Sequence, residues 1–107
     1  MEVRRGDVYL VELAPTRGRE IRKTRPCAVV SPDELNTYLT TFIVVPLTTG
    51  SHGYPFRLPC RVAGRSGHLV LDQIRTVDRE RLGRRIGRLT PATLNATLET
   101  LREMFAA

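Results

Sequence analysis

Two stretches of this chain carry side chains suited to chemistry at a phosphate, and each follows a run that reads as a strand. The first, Pro15 to Thr24, holds Arg17, Arg19, Glu20, Arg22 and Lys23 and leads into Arg25-Pro26. The second, Thr48-Thr49-Gly50-Ser51-His52-Gly53-Tyr54-Pro55, combines hydroxyls, an imidazole and glycines. Pro26 pushes Arg25 out of the helical region. Cys27 to Val30 is apolar and too short for a helix, so it reads as a buried strand. Arg25 is thereby a permanent cation held at the mouth of a strand. Cations and hydroxyls together suit a phosphodiester, whose non-bridging oxygens need their charge neutralised as the bond breaks. Gly18, Gly50 and Gly53 allow a ligand close to the backbone. Neither stretch has the spacing of a triphosphate-binding loop, and no carboxylate cluster suggests bound magnesium. If RNA is the substrate, the expected route needs no metal. The 2′-hydroxyl attacks its own neighbouring phosphate, and the protein supplies proton transfer and oxyanion stabilisation.

Composition sets the frame for these residues. A length of 107 residues fits one domain, spanning 1–107, with a single core. The formal charge is +6, and of 17 basic residues only Lys23 is a lysine. A guanidinium presents a planar fork that matches phosphate oxygens. With a pI near 10.3, nucleic acid is the leading class of partner and an acidic protein the second. A merely well-solvated basic surface would give the same charge. No apolar run approaches the ~20 residues of a membrane span, and the N-terminus lacks the apolar core of a signal peptide. The expected location is the cytoplasm. Cys27 and Cys60 both sit in apolar or strand-like runs and read as buried free thiols. No spacing resembles a zinc site, and no histidine lies near either in sequence to activate it.

The remaining elements must position the two stretches. Asp7 to Leu13 reads as a first strand, followed by an exposed loop with Pro15, Gly18 and five charges. Ser31-Pro32-Asp33-Glu34 has the pattern of a helix start, with Ser31 as cap, Pro32 in the first position and Glu34 closing a capping box. Phe42 to Val45 reads as a third strand closed by Pro46, and Phe56 to Pro59 as an edge strand. A turn-rich connection covers Arg61 to Gly67. Strands follow at His68 to Asp72 and Ile74 to Val77, then a helical turn at Arg79 to Leu82 and a last strand at Arg84 to Leu89. Thr90 caps a C-terminal helix with Pro91 at its first position, and Leu94, Leu98, Leu101 and Phe105 share one face. The absence of βαβ alternation argues against a parallel sheet. The expected fold is mainly β with helices: a small curled antiparallel barrel with the amphipathic helix packed on it.

Taken in order, several segments resemble the MazF/PemK toxin family. They are Arg5-Gly6-Asp7-Val8 with Pro15, Gly18 and Glu20; Arg25-Pro26 with Val29-Val30-Ser31; Pro46-Leu47-Thr48-Thr49; Gly53-Tyr54-Pro55-Phe56; and Asp72-Gln73-Ile74-Arg75. Gly87, Leu89 and the last helix continue the likeness, which covers essentially the whole chain. The resemblance implies an SH3-like or CcdB-like barrel, a homodimer, and a sequence-specific endoribonuclease that cuts single-stranded RNA without a cofactor. It also implies a cognate antitoxin whose acidic tail occupies the RNA groove, which suits the basic charge. By position, Arg25 and Thr48 match the residues assigned to catalysis in the MazF branch, and Glu20 matches a third linked to activity. Arg25 would stabilise the pentacovalent phosphorane, and Thr48 would hydrogen-bond a phosphate oxygen. Arginine is effectively always protonated, which suits charge stabilisation and not a general base. Glu20 is the nearest candidate base in sequence, or else a loop carboxylate balancing its arginines.

The PemK branch pairs an aspartate, matching Asp72, with an arginine at the position of Val70, and its loop histidine falls on Arg19. That mechanism is therefore disfavoured, and Asp72 reads as structural or RNA-contacting. Arg17, Arg19, Arg22, Lys23, Thr49, Ser51, His52, Tyr54, Gln73 and Arg75 are the candidate RNA contacts. Gln73 would read a base edge, or else satisfy buried backbone groups. Tyr54 would stack on a base. A catalytic pairing of His52 with His68 is disfavoured, because neither belongs to the matched segments. Arg79, Arg81, Arg84, Arg85 and Arg88 read as a solvated face or dimer-edge charges. Two other readings compete: a CcdB-type toxin that binds gyrase, disfavoured because the chain has no tryptophan, and an RNA-binding module without chemistry.

Overall fold

The computed structural model describes residues 2–21, 23–50 and 53–107. In chain order the elements are β1 (Asp7–Glu12), β2 (Thr24–Val29), α1 (Asp33–Tyr38), β3 (Thr41–Thr48), β4 (Arg57–Val62), β5 (Arg65–Val70), β6 (Arg75–Asp78), β7 (Leu82–Arg88) and α2 (Pro91–Met104). Single 3₁₀ turns at Leu71–Gln73 and Arg79–Arg81 flank β6. The strands form one antiparallel sheet in the order β4-β5-β3-β2-β1-β7, with β6 on the remaining edge of β3. This is the expected curled antiparallel β fold with a C-terminal helix.

The middle portions of the central strands are apolar because both of their faces are covered. Tyr9, Val11, Cys27, Val29, Phe42, Val44 and Val77 pack on one side. Val8, Ala28, Val45, Leu47, Val62 and Leu69 pack on the other, beneath Leu94, Leu98, Leu101 and Met104 of α2. Thr90 caps α2 as its sequence predicts, its hydroxyl accepting from Thr93 N–H at 3.2 Å. Phe105 departs from expectation. The helix ends at Met104, Phe105 turns away, and its ring is 70% exposed.

Three other expectations are corrected. Ser31 does not cap α1: Pro32 stands at the cap with no side-chain bond. The Ser31 hydroxyl instead donates to Asn36 Oδ1 and accepts from Ile43 N–H, so it ties α1 to β3. The stretch from Arg61 to Gly67 is a tight hairpin rather than a long connection. Ala63 and Gly64 take φ of 51° and 77°, the left-handed pair that matches the twist of a two-residue hairpin. Finally, Pro46 lies inside β3 instead of closing it. Ile43 aims its carbonyl at Val30 N–H on the β2 side, and alternation turns the Pro46 nitrogen to the opposite edge. There β6 stops pairing at Val44 and β5 begins at Leu47, so no ladder bond is lost.

Candidate active site

Pairing between β2 and β3 runs from Val29↔Val44 to Cys27↔Pro46. Arg25 lies two residues before Cys27 on β2, and Thr48 two residues after Pro46 on β3. Both line an open cleft of about 600 Å³, together with Arg65, Arg84 and Arg85. The cleft is closed below by Leu10, Leu47, Val62 and Ile86. Four guanidinium-bearing residues thus border one concavity with an apolar floor, an arrangement suited to a polyanion that also carries flat bases. Arg25 is exposed and, among the described residues, its guanidinium makes no recorded hydrogen bond or ion pair, so its donor fork is available to a ligand. Thr48 Oγ accepts from Gly50 N–H at 3.2 Å, which leaves the hydroxyl proton to donate.

The corner at Thr48 is held by a close backbone approach. A Cβ built on Gly67 would lie 2.5 Å from the Thr48 carbonyl oxygen, so only glycine lets β5 come this near. Thr48 pairs directly with His68, and His68 in turn with Pro59.

Glu20 lies elsewhere. It lines a neighbouring cavity of about 340 Å³ with Pro15, Ile21, Pro46, Asp72, Gln73 and Arg75. Pro46 borders this cavity and Leu47 the first, so the end of β3 runs between them. The Glu20 carboxylate accepts from Arg17 N–H, closing a turn within its own loop. Gln73 Oε1 accepts from Ile21 N–H at 2.9 Å, and Arg75 Nη1 donates to Leu13 O at 3.2 Å. Arg81 donates to the carbonyls of Glu12 and Ala14. These three side chains brace the loop between β1 and β2. For Gln73 the backbone-satisfying alternative is the one the structure displays.

Arg57 and Asp72 form a bidentate pair, both contacts at 3.0 Å. The Arg57 guanidinium lies 4.8 Å from the ring centre of Tyr54. Hydrogen bonding to Arg57 holds the Asp72 carboxyl below the ordinary carboxylate range, and the same bond raises Arg57. Asp72 is therefore a partner for Arg57, as its structural reading requires. Tyr54 stays 56% exposed. Thr49 is exposed at the main cleft, and Arg17, Arg19 and Lys23 are exposed on the first loop. Arg22, Ser51 and His52 lie outside the described residues. Among the described residues, the first loop borders the Glu20 cavity and the second the Arg25 cleft.

The sequence did not single out Arg65, and it read Arg84 and Arg85 as a solvated face or dimer-edge charges; all three border the cleft. The excess of arginine was the signal, but only the curl of the sheet brings β5 and β7 to the same cleft as β2. Among the described residues no three His, Cys, Asp or Glu side chains gather as a cation site.

The fold and the site define a class: a small curled β protein with an arginine-bordered cleft at the ends of β2 and β3. The comparisons give the family. Residues 4–105 match the PemK-like, MazF-like toxin of type II toxin–antitoxin systems, and the chain belongs to that family. It is 33% identical to the endoribonuclease PemK of Escherichia coli, over 94% of this chain and 80% of that protein. It is 36% identical to the endoribonuclease MazF9 of Mycobacterium tuberculosis, over 94% and 93%. Its fold superposes on MazF from Deinococcus radiodurans with a TM-score of 0.86, covering 97% of this chain and 96% of that one at 24% identity. A mycobacterial endoribonuclease bound to its cognate antitoxin superposes with a TM-score of 0.81, covering 94% and 92% at 26% identity.

Proposed function

We propose that this toxin is an endoribonuclease that lays single-stranded RNA across the Arg25–Thr48 cleft and cuts it by internal 2′-hydroxyl attack. The observation that supports this reading is that Arg25 and Thr48, on neighbouring strands, line one cleft bordered by three further arginines. Arg25 forks the non-bridging oxygens and meets the charge that grows as phosphorus becomes five-coordinate. Thr48, with its oxygen already accepting from Gly50 N–H, donates its proton to a phosphate oxygen. The products are a 2′,3′-cyclic or 3′-phosphate and a 5′-hydroxyl. Glu20 acts from the adjoining cavity, where its carboxylate shapes the basic loop carrying Arg17 and Arg19. Sequence specificity arises from base contacts by Tyr54, Thr49 and the two loops. The family, together with curated relatives named as endoribonucleases, supports this activity. Charge complementarity and the antitoxin-bound neighbour support an acidic antitoxin competing for the same cleft. The toxin works in the cytoplasm as a homodimer.

The test is incubation of antitoxin-free protein with a mixed-sequence RNA in excess EDTA, beside Arg25→Ala and Thr48→Ala. Discrete fragments with 5′-hydroxyl ends are expected from the wild type, and loss of cleavage in both variants while they remain folded. Intact RNA with the wild type sinks the enzyme reading, and binding without cleavage leaves an RNA-binding module.

A further inference from the structure

The proposed reaction needs a group to accept the 2′-hydroxyl proton, and the residues so far placed in the cleft do not supply one. Arg25 stays protonated and Thr48 is no base. Glu20 borders the other cavity and has its carboxylate engaged by Arg17 N–H. The strand register points to a different side chain. Thr48 is paired with His68, and residues directly opposite in an antiparallel pair project from one face with Cβ atoms about 4.5–5.5 Å apart. β3 lies between β2, which carries Arg25, and β5, which carries His68.

Two further observations concern the same imidazole. His68 lines a cavity of about 350 Å³ with Thr49, Pro59, Cys60, Ser66 and Gly67. Thr49, Ser66 and Gly67 also line the main cleft, so the two concavities share a wall beside Thr48. The Nδ1 atom of His68 is buried and has no hydrogen-bond partner. A histidine kept for structure fixes its tautomer through such a bond, and a buried nitrogen left without one is destabilising. Among the described residues, nothing hydrogen-bonds this ring nitrogen.

We propose that His68 is a catalytic residue of this toxin, accepting the proton of the attacking 2′-hydroxyl. The role rests on the endoribonuclease reading above. As the imidazole takes the proton, the 2′-oxygen bonds to phosphorus and the bond from phosphorus to the 5′-oxygen breaks. The departing 5′-oxygen takes a proton from water, and the imidazolium returns its own to solvent. Arg25 and Thr48 hold the phosphate while His68 works from the ribose side.

The experiment first maps the wild-type cleavage site in a mixed-sequence RNA. It then measures single-turnover cleavage of a short RNA bearing that site by the wild type, His68→Gln and His68→Ala. Binding is measured with the same RNA carrying a 2′-deoxyribose at the cleaved position. The expected result is a loss in cleavage rate of about 10²- to 10⁴-fold with binding unchanged, and partial return of rate to His68→Ala on adding free imidazole. Full-rate cleavage by both folded variants overturns the role and leaves the endoribonuclease reading intact. Parallel loss of binding and cleavage, with no rescue by imidazole, also overturns it. Intact RNA with the wild type overturns the endoribonuclease reading and the role together.

Discussion

Replacing Gly67 by alanine adds one methyl at the point where β5 meets Thr48. That methyl would lie 2.5 Å from the Thr48 carbonyl oxygen and 3.4 Å from its carbonyl carbon. Both atoms are backbone, so no flexible side chain can swing aside. Either β5 withdraws or β3 bends, and the pairs Thr48↔His68 and Leu47↔Leu69 are those that must give. Overpacking of this kind costs about 1–3 kcal/mol. In a chain of this length that lowers the melting temperature by on the order of 5–20 °C. The functional effect has a separate origin. A displacement of about 1 Å at Thr48 is enough to cost ~10²-fold in rate. The assay pairs thermal unfolding with single-turnover RNA cleavage below the variant's own transition. Gly53→Ala serves as the stability control, since nothing lies within 4 Å of its added methyl. A Gly67→Ala protein that melts with the wild type would refute the packing argument. One that is destabilised but cuts at full rate would show that this contact does not position Thr48.

Two other outcomes follow from the ionisable groups. Asp72 has its carboxyl held low in the folded state by Arg57. Its stabilisation is therefore present above the unfolded carboxylate range and lost as pH falls through the folded value. The side chain is 46% exposed, so solvent screening limits the effect to about 1 kcal/mol or less. Asp72→Asn should cost about that much at pH 7 and progressively less as pH falls below the ordinary carboxylate range in chemical denaturation; a cost that does not change with pH would contradict the ion-pair account. Burial pushes the Cys27 thiol up to about 12, and raises Cys60 less completely buried. Iodoacetamide at pH 8 should label Cys60 slowly in the native protein and Cys27 only on unfolding. Mass spectrometry showing equal native labelling of the two would refute the burial argument.

Much of the fold was legible because local rules and tertiary packing agree along most of the chain. The β-branched runs at Asp7–Leu13 and Cys27–Val30, and the Thr90-Pro91 start of the last helix, each read the same way locally and in the finished molecule. Where they failed, a long-range partner had overridden a local preference. Ser31 has a capping pattern, but Ile43 and Asn36 claim its hydroxyl. Pro46 looks like a strand terminator, yet its nitrogen faces the gap between β5 and β6 where no donor is needed. Gln73 and Arg75 have the chemistry of RNA readers. In the structure Gln73 Oε1 accepts from Ile21 N–H and Arg75 donates to the Leu13 carbonyl, and no pattern within Asp72-Gln73-Ile74-Arg75 announces partners so far away in the chain.

Arg25 shows where the division falls. The sequence by itself determined that this residue is a fixed cation at a strand mouth, because Pro26 restricts its backbone and a guanidinium does not lose its charge. It also determined the family, through ordered segments along nearly the whole chain. Only the tertiary structure decided what surrounds Arg25. Cross-strand register is a property of two strands and cannot be read from either alone. Register put His68 opposite Thr48, and the curl of the sheet carried Thr48, Arg65, Arg84 and Arg85 to the same cleft as Arg25. The same geometry left Glu20, five residues before Arg25 in the chain, bordering a different cavity.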